Sequence, residues 1–555
     1  MKLFERNGRN IIFSKNDFTA NISGGEGTIY INKGYAYKVF HDSTKAIPEQ
    51  KIIELKNIKN QNVITPINAI YNKDSNVIGY KMLSLDNYIT LSRLFANSFL
   101  KRNNINLNKI ASLASQIRQG FLDIHSQNCL VIDGNEANYM VDSNFKYVKF
   151  IDTDSFQTPS FKGSAFSPST IAPDKIKTKD FDVGSDNYVL ATILCLLYVG
   201  IHPFKGRHPD FSKRDMDGRK EQGISIFDEK TSLPKTVRSF KNIPDELLDW
   251  MIAVFKNEER NNPPEITAKR GEGNNTKIDI KKDVLKISFK KEFSFAPVNT
   301  FSYFGAEIVE GVNNVLRDNV AYRKKSEETL FLGEETYFVK NSSGKLEIRD
   351  DKQYYDVNIS CDKIFSFGGD VFCKSFDKIQ QLFIAKNNNK ITVGFKNTKS
   401  IMPYSTDFYN NVLVEQIFDK KFFLIREKGC IYEKEIKELN SFKIINADSF
   451  KRHLIVIYSK NSNMHRMHIT INESGNKYSI LSDTECDTMD ILISGNDNVF
   501  LSIVGDEMFV FNHDFKDIRS KSITDCNLTK IDSIFNIGKE IVVFNNSREY
   551  NISLS

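Results

Sequence analysis

Three oxygen-bearing side chains, Asp133, Asn138 and Asp152, are spaced so that one short hairpin would bring them together. Asn138 follows Asp133 by five positions, and Tyr139-Met140-Val141 then reads as a strand. Asp142-Ser143-Asn144 reads as a polar turn, and Tyr147 to Ile151 as the returning strand that ends on Asp152. Carboxylate and amide oxygens converging at one end of a small sheet suit a hard cation such as Mg²⁺ bound together with phosphate. Phosphoryl transfer requires that set of groups: a carboxylate to orient the attacking hydroxyl, and an amide with a second carboxylate to hold metal. A plain hairpin with acidic turns is the competing reading, so the surrounding elements must decide.

Upstream, residues 11–40 alternate like strands around Ser23-Gly24-Gly25-Glu26-Gly27-Thr28. Glycines there would let backbone N–H groups approach phosphate oxygens without a Cβ in the way. The next strand, Tyr35 to Phe40, carries Lys38 among apolar neighbours, where an ammonium group needs a partner. After Pro48, residues 49–58 read as a helix that carries Glu49 and Glu54. Val63 to Ile70 and Val77 to Met82 read as further strands. Leu107 to His125 carries Ile110, Leu113, Ile117, Phe121 and Leu122 at helical spacing and leads into Asp133.

This arrangement resembles the catalytic core of eukaryotic-like protein kinases. Their catalytic loop reads H-R-D-x-x-x-x-N and is followed by D-F-G. Val131-Ile132 stands where His-Arg would precede the Asp, and Thr153-Asp154 replaces Phe-Gly. The I-D-x-D-S-F ending resembles a divergent bacterial branch, some members of which are encoded near tellurium-resistance and PP2C-phosphatase genes. A-Y-K-V-F resembles the V-A-I-K strand, which implies that Lys38 holds the α and β phosphates beneath Gly24, Gly25 and Gly27. The helix is then expected to supply a Glu to Lys38. Glu49 is favoured because Ile53, four positions on, resembles the family's E-x-x-x-L pattern. Tyr80 to Leu85 corresponds to the hinge that contacts adenine. Phe166 to Asp174 resembles the A-P-E end of an activation segment with Asp for Glu, and Asp186 to Ala191 the start of the central helix. His202-Pro203-Phe204 fits the turn beyond it. Arg260 is expected to pair with Asp174, and His125 to pack at the end of its helix rather than act as a base. The resemblance implies ATP and Mg²⁺ as cofactors, with Asp133, Lys38 and Asn138 catalytic and Asn138 and Asp152 on the metal. It also implies a protein substrate and makes a PP2C-type phosphatase a candidate partner. Ile132 cannot hold a phosphorylated activation loop as an Arg would, so activity independent of such phosphorylation is expected.

At 555 residues the chain is too long for one compact core. A hydrophobic content of 40% and a charged content of 26% are those of an ordinary globular protein. The net charge of +6 lies in no dense basic block, which argues against nucleic acid as a partner. The seven cysteines, at 129, 195, 361, 373, 430, 486 and 526, form no C-x-x-C pair and point to a reducing compartment. The first residues, MKLFERNGRN, lack an apolar core of signal-peptide length, and Tyr188 to Ile201 is too short to span a bilayer. A cytoplasmic protein without membrane attachment is expected.

From Ile266 to Lys282 the sequence is polar and charged, and beyond it helical periodicity nearly vanishes. Strand pairs separated by tight polar turns near residues 341, 386, 427, 460, 505 and 545 take over. The period of roughly 40 residues suits a β-propeller of about six or seven four-stranded blades, with a β-sandwich pair as the competitor. The interval between the turns near 427 and 460 is short for that period. His453, His465 and His468 lie near one hairpin, where exposed strand histidines are commoner than a metal site.

The expected architecture is therefore multidomain α+β, a bilobal protein-kinase-like fold followed by an all-β, propeller-like interaction domain. The domains are 1–265 (N-lobe to about 82, C-lobe from about 83), a linker over 266–282, and 283–555. The leading function is an ATP- and Mg²⁺-dependent Ser/Thr protein kinase. The alternatives are a pseudokinase scaffold and a small-molecule phosphotransferase.

Overall fold

The computed structural model describes residues 3–5, 10–11, 22–23, 26–85, 87–163, 165–212, 215–266 and 285–554. Within the last range it omits 304–305, 326, 334, 388–389, 428, 462, 473–474, 476, 496–498, 505–506, 513–517, 523–530 and 538–539. Gly24, Gly25 and nearly all of the expected linker lie outside the described residues. The chain divides into two compact units. One is Met1–Asn275 with Ser459–Met464 and Glu485–Met489; the other is Thr276–Tyr458, His465–Thr484 and Asp490–Ser555.

The first unit begins with a seven-stranded antiparallel sheet of β1 (Leu3–Phe4), β2 (Asn10–Ile11), β3 (Ile22–Ser23), β4 (Gly27–Asn32), β5 (Tyr35–Phe40), β6 (Asn68–Tyr71) and β7 (Val77–Leu83), in the order β2-β1-β6-β7-β5-β4-β3. Lys33 and Gly34 both take positive φ, the backbone that a tight β4–β5 hairpin demands. The expected strand over 63–70 is shorter, because Pro66 has no donor and holds its predecessor off the ladder; only Asn68–Tyr71 pairs with β7. The 49–58 helix is likewise shorter, α1 spanning Glu49–Leu55 after Pro48 and burying Lys51, Ile52 and Leu55. The expected hinge at Tyr80–Leu85 begins later, since Tyr80 to Leu83 lie in β7.

Below the sheet lie β8 (Tyr88–Thr90), α2 (Asn97–Arg102), α3 (Leu107–His125), β9 (Tyr139–Asp142), β10 (Val148–Phe150), α4 (Pro173–Thr178), α5 (Val183–Val199), α6 (Met216–Glu221) and α7 (Asp245–Lys256). Helix α3 is amphipathic: Asn106 caps its N-terminus, and Ile110, Leu113, Ile117, Phe121 and Ile124 face the core. Helix α5 is apolar on all sides because it is buried on all sides, from Ser185 to Val199. It begins with an Asp182–Ser185 capping box and stops at Gly200 in a left-handed conformation. Among the described residues no helix is long and apolar enough to cross a membrane.

Among the described residues beyond 284 the chain forms seven four-stranded sheets, over 299–323, 329–360, 363–400, 406–435, 443–485, 492–522 and 533–554. The last is completed by Leu285–Glu292, the first strand described there, paired with Arg548–Leu554, the last described. Successive sheets share apolar cores. Tyr337, Val339 and Ile348 of one pack with Cys373, Leu382 and Ile384 of the next, and Phe372 and Ile379 with Leu413 and Leu424 after that. All six expected hairpins are present. The short interval between turns near 427 and 460 has a simple cause: the 427 turn joins the third and fourth strands of its sheet, the 460 turn the second and third of the next. The sheet over 299–323 was missed by turn spacing. Cys129, Cys195, Cys361, Cys373 and Cys486 are buried free thiols and Cys430 an exposed one.

Candidate active site

The loop between α3 and β9 is shaped from behind by a buried carboxylate. Asp186 of α5 accepts the backbone N–H groups of Val131 at 2.7 Å and Ile132 at 2.8 Å, and His125 Nε2 lies 2.9 Å from its Oδ2. His125 thus anchors the loop through Asp186, beyond the packing role expected of it. Ile132 is fully buried with a φ of 45°, a conformation a β-branched residue adopts only under constraint. At the neighbouring Gly134 a Cβ would stand 2.1 Å from Val189 Cγ1 of α5, so only glycine lets loop and helix meet.

These supports present Asp133, which is half-buried. Asn138 Nδ2 donates to Asp133 Oδ2 at 3.0 Å and to its carbonyl at 3.3 Å, so the amide oxygen of Asn138 keeps its acceptor capacity for a ligand. Burial, with a contribution from Asp152, pushes the Asp133 carboxyl above its usual range, against the pull of the Asn138 hydrogen bond. The hairpin forms as spaced: Tyr139 pairs with Phe150 and Val141 with Val148. The Asp142 carboxylate closes the turn on the Lys146 and Tyr147 N–H groups at 2.7 and 2.6 Å. One step beyond the ladder, Ile151 N–H donates to the Asn138 carbonyl at 2.8 Å, which sets Asn138 beside the approach to Asp152. Asp152 is left-handed, with φ 54° and ψ 37°. An amide oxygen and a partly exposed carboxylate fit Mg²⁺, which takes oxygen ligands and keeps sites open for phosphate and water.

Lys38 joins this group from β5. Its ammonium donates to Asp154 Oδ2 at 2.9 Å and Oδ1 at 3.1 Å, and to Asp152 Oδ1 at 3.2 Å. Burial works against its charge, but the Asp154 and Asp152 carboxylates outweigh that and hold its pKa above the ordinary value. Tyr80, opposite Lys38 in the β5–β7 register, donates its hydroxyl to Asp154 Oδ1 at 2.6 Å. Lys51 of α1 donates to the Asp154 carbonyl at 2.7 Å. Glu49 is therefore not the partner of Lys38. Helix α1 turns its third residue, Lys51, into the site together with the core-facing Ile52 and Leu55. Glu49 stays half-buried in the first turn, and Glu54 accepts the Ser160 N–H at 3.2 Å. Gly27 is explained by strand packing, since a Cβ there would stand 2.7 Å from the Val39 carbonyl.

Asp154, Tyr80 and Lys51 are the residues that sequence reasoning missed. The D-T-D spelling marked Asp154 as unusual without assigning it a partner. Tyr80 was expected only in the hinge and Lys51 in no role, since their approach to Asp154 depends on the order of strands and on helix rotation.

Farther along, the 155–174 segment is tied to the helices. Arg260 forks onto Asp174 at 2.8 and 3.2 Å, as the family resemblance implied. Lys220 Nζ donates to the Pro168 and Ser169 carbonyls at 2.6 and 3.2 Å, and His202 Nε2 reaches Ser169 O at 3.0 Å. Burial lowers His202 to about 3 and Lys220 to about 7. In the second unit, no grouping of His, Cys, Asp and Glu suited to a metal occurs among the described residues.

Residues 25–270 match the family model for the protein kinase domain. That match supports a phosphotransferase activity for the region, and the matched family implies ATP as donor and protein as acceptor. No curated protein matches the chain.

Proposed function

We propose that the chain is an ATP- and Mg²⁺-dependent Ser/Thr protein kinase whose β-rich unit recruits the protein to be modified. One observation carries this reading: Asp133, Asn138, Asp152 and Lys38 gather around one loop and hairpin inside a segment that matches the protein kinase domain. Asp133 orients the substrate hydroxyl and takes its proton as transfer completes. Lys38 steadies the α and β phosphates. Asn138 and Asp152 hold Mg²⁺, which neutralises phosphate charge when bound. The raised Asp133 pKa brings that carboxylate nearer to the task of a base, and activity should fall on the acid side at a higher pH than an ordinary Asp would set.

The Asp174–Arg260 fork favours a protein acceptor over a small alcohol, because it braces the segment against which a peptide would lie. A pseudokinase scaffold is the second reading, kept by the Asp154 that replaces a glycine beside Asp152. Ile132 offers no charge to a phosphorylated loop, so activity should not depend on phosphorylation between Ser155 and Thr170.

For residues 283–555 we propose a seven-bladed propeller. Its support is the set of seven four-stranded sheets, the pairing of the first strand described there with the last described, and contacts between first strands of neighbouring sheets, such as Lys443–Phe450 with Leu492–Gly495. A labelled-ATP assay on the full chain, with casein and with small alcohols as acceptors, tests the reading. Label on casein supports it, label on an alcohol alone indicates a small-molecule phosphotransferase, and Mg·ATP binding without transfer indicates a scaffold.

A further inference from the structure

The two carboxylates that hold Lys38 differ in what else they can do. The Asp152 side chain is 44% exposed and lies on the side where metal is expected. That of Asp154 is 6% exposed, and both its oxygens are already taken, Oδ1 by Lys38 and Tyr80 and Oδ2 by Lys38. Asp154 is also fixed in place. It lies in the turn Thr153–Ser155, where the Thr153 hydroxyl donates to Ile64 O at 3.0 Å and Lys51 donates to the Asp154 carbonyl. A dication drawn to Asp152 competes with Lys38 for the same carboxylate. A buried ammonium that loses one of two counter-charges needs the other to stay.

Building on the kinase reading, we propose that Asp154 is the positioning residue that keeps Lys38 aimed at the ATP phosphates once Asp152 is engaged with metal. Lys51 of α1 clamps the Asp154 backbone, so helix α1 supplies a cation where a carboxylate was expected. Lys38 is thus held from the 153–155 turn and from Tyr80 on β7, and its aim does not depend on a carboxylate of α1. Asp154 does not serve as a second metal ligand here, because it is buried and both its oxygens face Lys38 or Tyr80.

The test uses the full chain and reads kcat and KM for ATP on casein, Mg·ATP affinity by calorimetry, and thermal melting. Asp154→Asn keeps shape and removes charge, and it should lower kcat about 100-fold, as loss of an electrostatic positioning group does, with a much smaller change in KM. The Lys38→Met/Asp154→Asn pair should be no slower than Lys38→Met alone, because the two act as a unit. Tyr80→Phe, which removes one donor from Asp154, should cost about 3- to 10-fold and should also be silent on a Lys38→Met background. The proposal is overturned if Asp154→Asn stays within about threefold of the parent, if the double-variant losses multiply, or if Glu49→Gln reproduces the Lys38→Met loss. Should Asp154→Asn fail to fold, the Tyr80→Phe cycle decides by the same criterion. A parent chain that binds Mg·ATP but transfers nothing sinks the kinase reading alone; Asp154 is then judged by calorimetry, where Lys38→Met and Lys38→Met/Asp154→Asn should bind Mg·ATP equally and additive losses overturn the proposal. A parent that binds no Mg·ATP overturns both.

Discussion

In the unit that carries residues 25–270, one group of buried charges shares a lysine and a partly exposed carboxylate, whereas several charges of the β-rich unit are tied in single pairs between strands. Lys38, Lys51, Asp152 and Asp154 share one cluster, reached from β5, α1 and the loop after β10, with left-handed Ile132 and Asp152 nearby. In the β-rich unit Arg349 forks onto Glu328 at 2.6 and 2.7 Å, Lys324 meets Glu310 at 2.6 Å, and Arg426 pairs with Asp370 of the preceding sheet. In each of these pairs one acid meets one cation. A closed pair satisfies the cost of its own burial and leaves nothing for a ligand. The Lys38 cluster instead combines shared partners, a partly exposed carboxylate and unusual backbone, the marks of a site held ready for something else.

The largest expected effect tests that contrast directly. Asp133→Asn should cut phosphate transfer by about 10²- to 10⁴-fold while leaving Mg·ATP affinity near that of the parent. Asp152→Asn should weaken Mg·ATP binding itself, read by calorimetry. If both variants still transfer phosphate, the converging cluster is architecture after all. Next comes the closed pair. Arg349→Met strands Glu328, whose side chain is 1% exposed, and should destabilise the β-rich unit by about 3–5 kcal/mol in denaturant unfolding without altering kcat. A drop in kcat at unchanged stability would break the comparison from the other side.

A smaller effect is expected where a pair is closed but wet. The Asp174 side chain is 52% exposed, so Asp174→Asn should cost no more than about 1 kcal/mol. Burial alone would raise the Asp174 pKa, but the Arg260 hydrogen bond and charge lower it. A depressed carboxyl stabilises the fold above its unfolded pKa and loses that contribution as pH falls through the folded value. The gap between parent and Asp174→Asn should therefore close below about pH 4, as read by melting curves. Smallest of all, Asp133→Asn should raise the melting temperature slightly at neutral pH. A carboxyl with a raised folded pKa costs stability while ionised, and that cost vanishes at pH values low enough to protonate it in both states. A variant that melts lower than the parent at pH 7 would show that the Asp133 charge supports the fold instead.

Legibility in the sequence followed the range of the interaction. The hairpin 139–150 and helix α3 could be read because alternation and helical spacing act between near neighbours. The Arg260–Asp174 fork spans the unit, yet it was legible through family resemblance in the order of motifs. Glu49 was misread for a physical reason. Which residue of α1 faces β5 depends on how the helix rotates to bury Ile52 and Leu55, and spacing within the helix does not reveal it. In the β-rich unit, tight turns marked six hairpins, but whether a turn joined the second and third strands or the third and fourth was invisible until pairing was known.

The sequence by itself determined the residue types, the five-position step from Asp133 to Asn138, the hairpin that leads to Asp152, and the change from helix period to strand pairs beyond 282. These depend on local geometry, which a short stretch of chain carries with it. Only the tertiary structure decided who holds Lys38. That choice required β5 to lie beside β7 so that Tyr80 came opposite, α1 to present Lys51, and the loop after β10 to carry Asp154 back to the strand. It also required the first and last described strands of the β-rich unit to meet. Each of these is a contact between distant segments, and burial of apolar faces, not spacing along the chain, selects it.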